Sequence, residues 1–129
     1  GNAWYGKGMP KHNQRLEAID WTTDLWKLAT SVCDKVAMEN PVGVLPFKPT
    51  QYVQPWQFGH PESKKTGLWL HGLPKLEETD NVKALFDALP KREQQRLHYL
   101  PPSKDRWKIR SKTFQGIADA IAQQWSQQL

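Results

Sequence analysis

The order of apolar and polar positions predicts one long helix, three short strands and then several helices. Apolar residues recur at near-helical spacing over residues 13–30, and Asn13 stands where it could cap the first turn. Trp21, Leu28 and Val32 widen the apolar face, which predicts that this helix packs on a sheet. Three short runs suited to strands follow, at residues 35–38, 51–54 and 66–70, and the last two could pair antiparallel.

The second half of the chain reads mainly as helix. Residues 81–89 and 91–100 are predicted as short helices, whereas residues 105–112 alternate basic and apolar side chains, as an extended segment does. Ser111 or Thr113 is placed to cap a final helix that ends near Gln128. Its apolar stripe is formed by Phe114, Ile117, Ala118, Ile121 and Trp125. The fold class is therefore α/β, with about three short strands flanked by helices.

Composition places the chain among single-domain intracellular proteins. Its 129 residues predict one domain, residues 1–129, with a loop or leader over residues 1–12. The single cysteine, Cys33, excludes an internal disulfide and indicates a reducing, cytoplasmic setting. No apolar run is long enough to span a bilayer, and the start lacks the apolar core of a signal peptide. The net charge of +5 favours a polyanionic partner but is also common without one.

Two segments carry the first candidate chemistry. Glu39 and Asn40 end an apolar run, where an acid and an amide can read the edge of a small planar ligand; the alternative is a turn that caps the strand. In the segment from Gln54 to His60, Trp56 and Phe58 could stack on a base, and His60 could contact phosphate or carry a proton. The alternative is a packed loop in which both aromatic rings belong to the core.

A basic run supplies a candidate surface for nucleic acid. If the run is extended, alternation places several of its cations on one side, where they could neutralise phosphates. The alternative is an ordinary solvated face. The cations are Lys104, Arg106, Lys108, Arg110 and Lys112, with Trp107 among them. A metal is not expected, because the four histidines lack paired cysteines and regular ligand spacing.

These segments, taken in order, resemble phage and prophage DNA cytosine methyltransferases. The resemblance covers about residues 13–125, and its most specific part is Pro-Trp-Gln-Phe-Gly-His at residues 55–60, placed after Glu-Asn-Pro at residues 39–41. Further matching segments are Lys48-Pro49-Thr50-Gln51, Lys65-Thr66-Gly67-Leu68-Trp69-Leu70, Gly72-Leu73-Pro74, Asp105-Arg106-Trp107 and residues 110–118.

The resemblance implies a partial Rossmann-like methyltransferase fold that uses S-adenosylmethionine and acts on DNA. In the family, a Glu-Asn pair like Glu39-Asn40 holds the flipped base, and the acid stabilises the protonated ring. Arg110 is the best match to an arginine that assists this pocket. Thr113 and Gly116 match the motif that touches the cofactor, although Gly116 could instead serve close helix packing.

The family's Gly-rich cofactor loop and Pro-Cys nucleophile segment have no counterpart here, and Cys33 does not match the nucleophile motif. The chain therefore resembles the second half of the domain, its last three strands and closing helix. We expect a truncated or split enzyme, inactive alone, whose complementing N-terminal half would dock along residues 35–38. The alternative is a free-standing DNA- or protein-binding module of phage or mobile-element origin, with that edge covered by its own elements or by a homodimer partner.

Overall fold

A small sheet with helices around it forms the frame of the molecule. The computed structural model describes residues 2–41, 43 and 45–128. In chain order the elements are α1 (Asn2–Tyr5), α2 (His12–Val32), β1 (Val36–Pro41), β2 (Gln51–Val53), a 3-10 turn (Pro55–Gln57), β3 (Thr66–His71), α3 (Lys83–Asp87), α4 (Lys91–Gln94), α5 (Arg106–Ser111) and α6 (Gln115–Ser126). The prediction of three short strands flanked by helices is confirmed.

The sheet has the order β1-β3-β2, and β3 runs antiparallel to both neighbours. The predicted antiparallel pair of β2 and β3 is therefore present. Leu68 on β3 lies opposite both Glu39 and Gln51, so these side chains share one face of the sheet. Within the described residues all strand neighbours in this sheet are antiparallel, so it is not in itself the mostly parallel sheet of a Rossmann-like domain.

The main core lies between the sheet and α6. Its buried members are Val53, Phe58, Leu68, Leu76, Ile117, Ala120 and Trp125. The indole Nε1 of Trp125 donates a hydrogen bond to the Pro74 carbonyl over 2.8 Å, which satisfies its polar atom as the ring is buried. The predicted stripe of α6 is thus mostly correct, except that Ala120 is buried more deeply than Ala118.

The opposite face of the sheet meets α2 through a short aromatic stack. Trp69 donates from its Nε1 to the Phe47 carbonyl over 3.0 Å, and the Phe47 ring lies 6.0 Å from Trp69 and 6.4 Å from Trp26 of α2. No residue of α2 is buried. α2 thus lies against the sheet, as predicted, but not through Trp21, Leu28 and Val32, whose side chains are on the solvent side of the helix.

Several predicted element ends also differ from the structure. Lys11, not Asn13, precedes the first turn of α2, and Phe114, not Ser111 or Thr113, precedes α6; neither helix has a side-chain cap from that position. The predicted loop or leader contains the helical turn α1, which is tied to α2 where the Lys11 N–H donates to the Trp4 carbonyl over 2.8 Å. No helix in the described ranges has the length and apolar character needed to cross a bilayer.

Candidate functional site

A small cavity lies between the β1–β3 face of the sheet and the start of α6. Its volume is about 80 Å³, enough for several water molecules or the edge of a planar group. Apolar side chains form most of its wall, and the polar groups come from Glu39, Lys64, Thr66 and Thr113. The lining residues are Glu39, Val53, Lys64, Thr66, Leu68, Thr113, Phe114, Ile117 and Ile121. Two motifs far apart in sequence, at Glu39 and at Thr113, thus meet at one place.

Glu39 reaches this cavity, but Asn40 does not. Both residues belong to β1 rather than to a turn after it, so their side chains point to opposite faces of the sheet. Asn40 pairs with Gly67, whereas Glu39 pairs with the core residue Leu68. Glu39 is also exposed instead of buried. The acid and the amide therefore do not face one ligand together, while the alternative of a strand-ending turn falls at residue 42, outside the described residues.

A larger cavity adjoins the first one and shares Thr113 and Phe114 with it. Its volume is about 420 Å³, within the range of small-molecule pockets. It is lined by His60, Arg96, Ile109, Lys112, Thr113, Phe114 and Gln115. No carboxylate is among them, although Arg96 forms an ion pair of 2.7 Å with Glu62 nearby. This cavity therefore favours anionic over cationic groups.

His60 acts on the backbone of α6. Its Nε2 accepts a hydrogen bond of 3.0 Å from the Gly116 N–H, in the first turn of that helix. The neutral ring then carries its proton on Nδ1. A Cβ at position 116 would overlap the Phe58 carbonyl oxygen, so the residue must be glycine for the helix to lie this close. The close-packing interpretation of Gly116 is the one that this geometry supports.

The loop that carries Trp56, Phe58 and His60 is a packed structural unit. Phe58 is only 4% exposed, so the prediction that its ring stacks on a base is wrong. Trp56 is half-buried, and the Lys83 ammonium lies 5.5 Å from its ring centroid.

Two glutamines that sequence reasoning missed hold this loop. The Gln54 N–H donates to the Gln57 side chain over 2.7 Å, and the Lys64 N–H donates to the Gln54 side chain over 2.9 Å. Their spacing of three residues around a proline is the capping-box signal that could have identified them.

The basic run is a helix, not an extended segment. In α5, Arg106 and Arg110 fall on the inner side and are half-buried. Lys108 is exposed within α5, Lys104 precedes the helix and Lys112 follows it with an extended backbone, and Trp107 is 65% exposed. The prediction of an extended segment is therefore wrong, and the strand alternation that was expected to place the cations on one side does not apply.

Arg110 does not reach the cavity at Glu39. Its Nε donates to the Leu97 carbonyl over 3.0 Å and its Nη2 to the His98 carbonyl over 3.1 Å. The guanidinium thereby holds the segment that follows α4. The predicted role of Arg110 in a base pocket does not fit this arrangement.

The residues present do not fit S-adenosylmethionine. The Gly116 N–H is occupied by His60, and the Phe58 carbonyl closes the space above its Cα. The larger cavity has no carboxylate in its lining to pair with the sulfonium and the ammonium of the cofactor. Among the described residues no three or more His, Cys, Asp or Glu side chains cluster as metal ligands.

No protein-family model, curated protein or solved structure matches this chain.

Proposed function

We propose that this chain is the base-pocket half of a split or truncated DNA cytosine methyltransferase-like domain, inactive by itself. The observation that carries the proposal is that Glu39 and Thr113, from two motifs of the resemblance, line one cavity beside an unpaired strand edge. Such a half would work in the cytoplasm of a bacterial host, where phage DNA is modified.

The open edge of β1 supports a missing neighbour. β1 pairs with β3 on one side, and the described sheet ends there on the other. Ala37 and Glu39 are exposed on the face where α6 buries Leu68, so α6 does not bury β1 as it buries β3. An unpaired strand edge is a template for a further strand.

The strand directions agree with the same proposal. Because β1 and β2 are both antiparallel to β3, they are parallel to each other. In the methyltransferase fold implied by the resemblance, the last strand likewise runs antiparallel between two parallel neighbours. A strand added parallel to β1 would continue a mostly parallel sheet.

In the completed domain, Glu39 would hydrogen-bond the edge of a flipped cytosine from the side of β1. Thr113 and Lys64 would supply further polar contacts, and the apolar wall would exclude water. The attacking thiol and the methyl donor would belong to the companion chain, because the residues here provide neither.

The test is reconstitution with a companion chain that contains a Gly-rich cofactor loop and a Pro-Cys segment, taken first from the adjoining reading frame. We expect a one-to-one complex that transfers labelled methyl groups to DNA, and neither transfer nor calorimetric S-adenosylmethionine binding by this chain alone. Glu39→Ala should abolish transfer but leave the complex intact. Glu93→Ala, an exposed acid on α4, is the matched control. Equal transfer by Glu39→Ala, or saturable cofactor binding by the chain alone, would refute the proposal.

A second candidate is a DNA-binding module without enzymatic activity. The exposed side of α5 favours it, because Lys104, Lys108 and Lys112 are all exposed and the Lys108 ammonium lies 5.7 Å from the centroid of the exposed Trp107 ring. Gel-shift assays at low and high salt test this surface directly. Lys104→Gln with Lys108→Gln should weaken binding, while Lys7→Gln with Lys75→Gln should not. If no complex forms even at low salt, this candidate is excluded.

A further inference from the structure

The solvent side of α2 carries a continuous apolar stripe, which consists of Trp21, Leu25, Leu28 and Val32. These side chains are 67%, 46%, 62% and 72% exposed. Their spacing of four, three and four residues places them above one another on a single face of the helix. The partly buried side chains of α2, such as Ile19 and Trp26, belong to the other side of the helix. The stripe is therefore additional to the face that packs on the protein.

A contiguous apolar surface of this kind marks an interaction site, whereas apolar residues scattered singly on a surface do not. Three aliphatic side chains and an indole on a helix of 21 residues present the usual geometry of a helix–helix contact. The charged residues of α2 indicate which kind of partner covers the stripe.

The charges along α2 are divided unevenly along its length. The cation in its first half, Arg15, donates a hydrogen bond to the Tyr5 carbonyl over 3.3 Å. Glu17, Asp20 and Asp24 lie in the part before the centre of the stripe, and Lys27 is the single charged residue from position 25 to the end of the helix. No ion pair joins any of these four side chains to another group in the described ranges. A parallel copy would set acid beside acid and Lys27 beside Lys27. An antiparallel copy sets the acidic part of each helix against the part that carries Lys27.

The shapes of the side chains agree with the antiparallel arrangement. A two-fold axis midway between Leu25 and Leu28 places Trp21 opposite Val32 of the second copy and Leu25 opposite its Leu28. The largest side chain of the stripe then meets the smallest. The same axis brings Asp24 within one helical turn of Lys27 of the second copy, twice by symmetry.

We propose that two copies of this chain associate through antiparallel pairing of α2, with the stripe as the centre of the contact. The contact is isologous and closed, so it yields a dimer rather than a filament. It uses a surface separate from the β1 edge and does not depend on the proposed methyltransferase function.

Sedimentation equilibrium over a range of micromolar concentrations tests whether the dimer forms. We expect the average mass to rise from 14.9 kDa towards about twice that value as concentration increases. Leu28→Glu should keep the chain at the monomer mass. Leu85→Glu is the matched control, because Leu85 is 61% exposed on α3, outside the stripe, and this variant should dimerise as the parent does. A chain that is monomeric at every concentration overturns the proposal, as does a dimer that Leu28→Glu leaves unchanged.

Disulfide trapping tests the orientation. Trp21→Cys and Val32→Cys are made separately, each with Cys33→Ser, and oxidised with glutathione disulfide alone and as a mixture. Antiparallel pairing predicts a crosslinked dimer in the mixture and none in either variant alone. Crosslinking within one variant would show a parallel pair, and absence of any crosslink in a mixture that dimerises would place the contact elsewhere; both outcomes overturn the proposed arrangement. Circular dichroism of each variant confirms that α2 is retained.

Discussion

Helices α2 and α6 both have an apolar periodicity, but they relate to the rest of the molecule in opposite ways. α6 has 12 residues and buries Ile117, Ala120 and Trp125, whereas α2 has 21 residues and buries none. The difference is that other segments of the chain form hydrogen bonds with α6. His60 and the Pro74 carbonyl bind to α6, and the Gln124 side chain accepts from the Glu77 N–H over 2.8 Å. Periodicity thus predicts that a helix has an apolar face, but not whether that face has a partner.

The largest expected effect is the difference in free energy of unfolding between the Trp125→Ala and Trp21→Ala variants. Trp125→Ala should lower the free energy of unfolding by about 3–5 kcal/mol, because it removes a ring that is 9% exposed and leaves a cavity. Trp21→Ala, at 67% exposure, should change it by less than about 0.5 kcal/mol when the chain is monomeric. Urea unfolding followed by circular dichroism measures both. Similar losses for the two variants would contradict the contrast between the helices.

The next effect concerns the contact of α6 with the loop that carries Phe58 and His60. Gly116→Ala should destabilise the fold by about 1–3 kcal/mol, because the added methyl group overlaps the Phe58 carbonyl. Alanine is otherwise the better helix former by about 1 kcal/mol. The reverse change at an exposed position of the same helix, Ala122→Gly, gives the propensity term alone. If Gly116→Ala were stabilising, the contact with Phe58 would have to be looser than described.

A smaller loss is expected when the side chain that serves the start of α6 is removed. His60→Ala takes away the acceptor of the Gly116 N–H and should cost about 0.5–2 kcal/mol, as the loss of a helix cap does. His71→Ala, at an exposed strand end, is the control and should be nearly neutral. Thermal unfolding of both variants is sufficient to compare them. Equal melting temperatures would argue against a capping role for His60.

The smallest effect compares a cap expected from sequence with an asparagine whose side chain forms two hydrogen bonds just before α3. Asn13→Ala should change stability by less than about 0.5 kcal/mol, because Asn13 is an exposed residue inside α2. Asn81→Ala should cost more, since the Asn81 side chain accepts from the Lys83 N–H over 2.9 Å and donates to Glu78 over 2.6 Å. Chemical denaturation of the pair measures the difference, and a larger loss at Asn13 would restore the sequence-based cap.

The sequence was sufficient to predict the class of the fold, the three strands and the two long helices, because local spacing determines these. It failed where contacts between segments distant in the sequence determine the local structure. The segment of α5 alternates basic and apolar residues as a strand would, but it forms a helix. Within this helix Arg110 faces inward and donates hydrogen bonds to the carbonyls of residues 97 and 98.

The candidate site shows the same division. Glu39 and Thr113 were both identified, yet their shared cavity depends on the pairing of β1 with β3, which no local pattern specifies. A predicted strand that continued to Pro41 would have placed the side chains of Glu39 and Asn40 on opposite faces of the sheet.

The contacts of α6 also bear on how the chain folds. Four hydrogen bonds tie this helix to His60, Pro74 and Glu77, over 56, 51 and 47 residues of sequence, with two of them between Gln124 and Glu77. A peptide of 12 residues is too short to be a stable helix in water, so α6 gains its order only as these long loops close. Loop closure rather than helix initiation should therefore set the folding rate, and burial of Trp125 would report its completion.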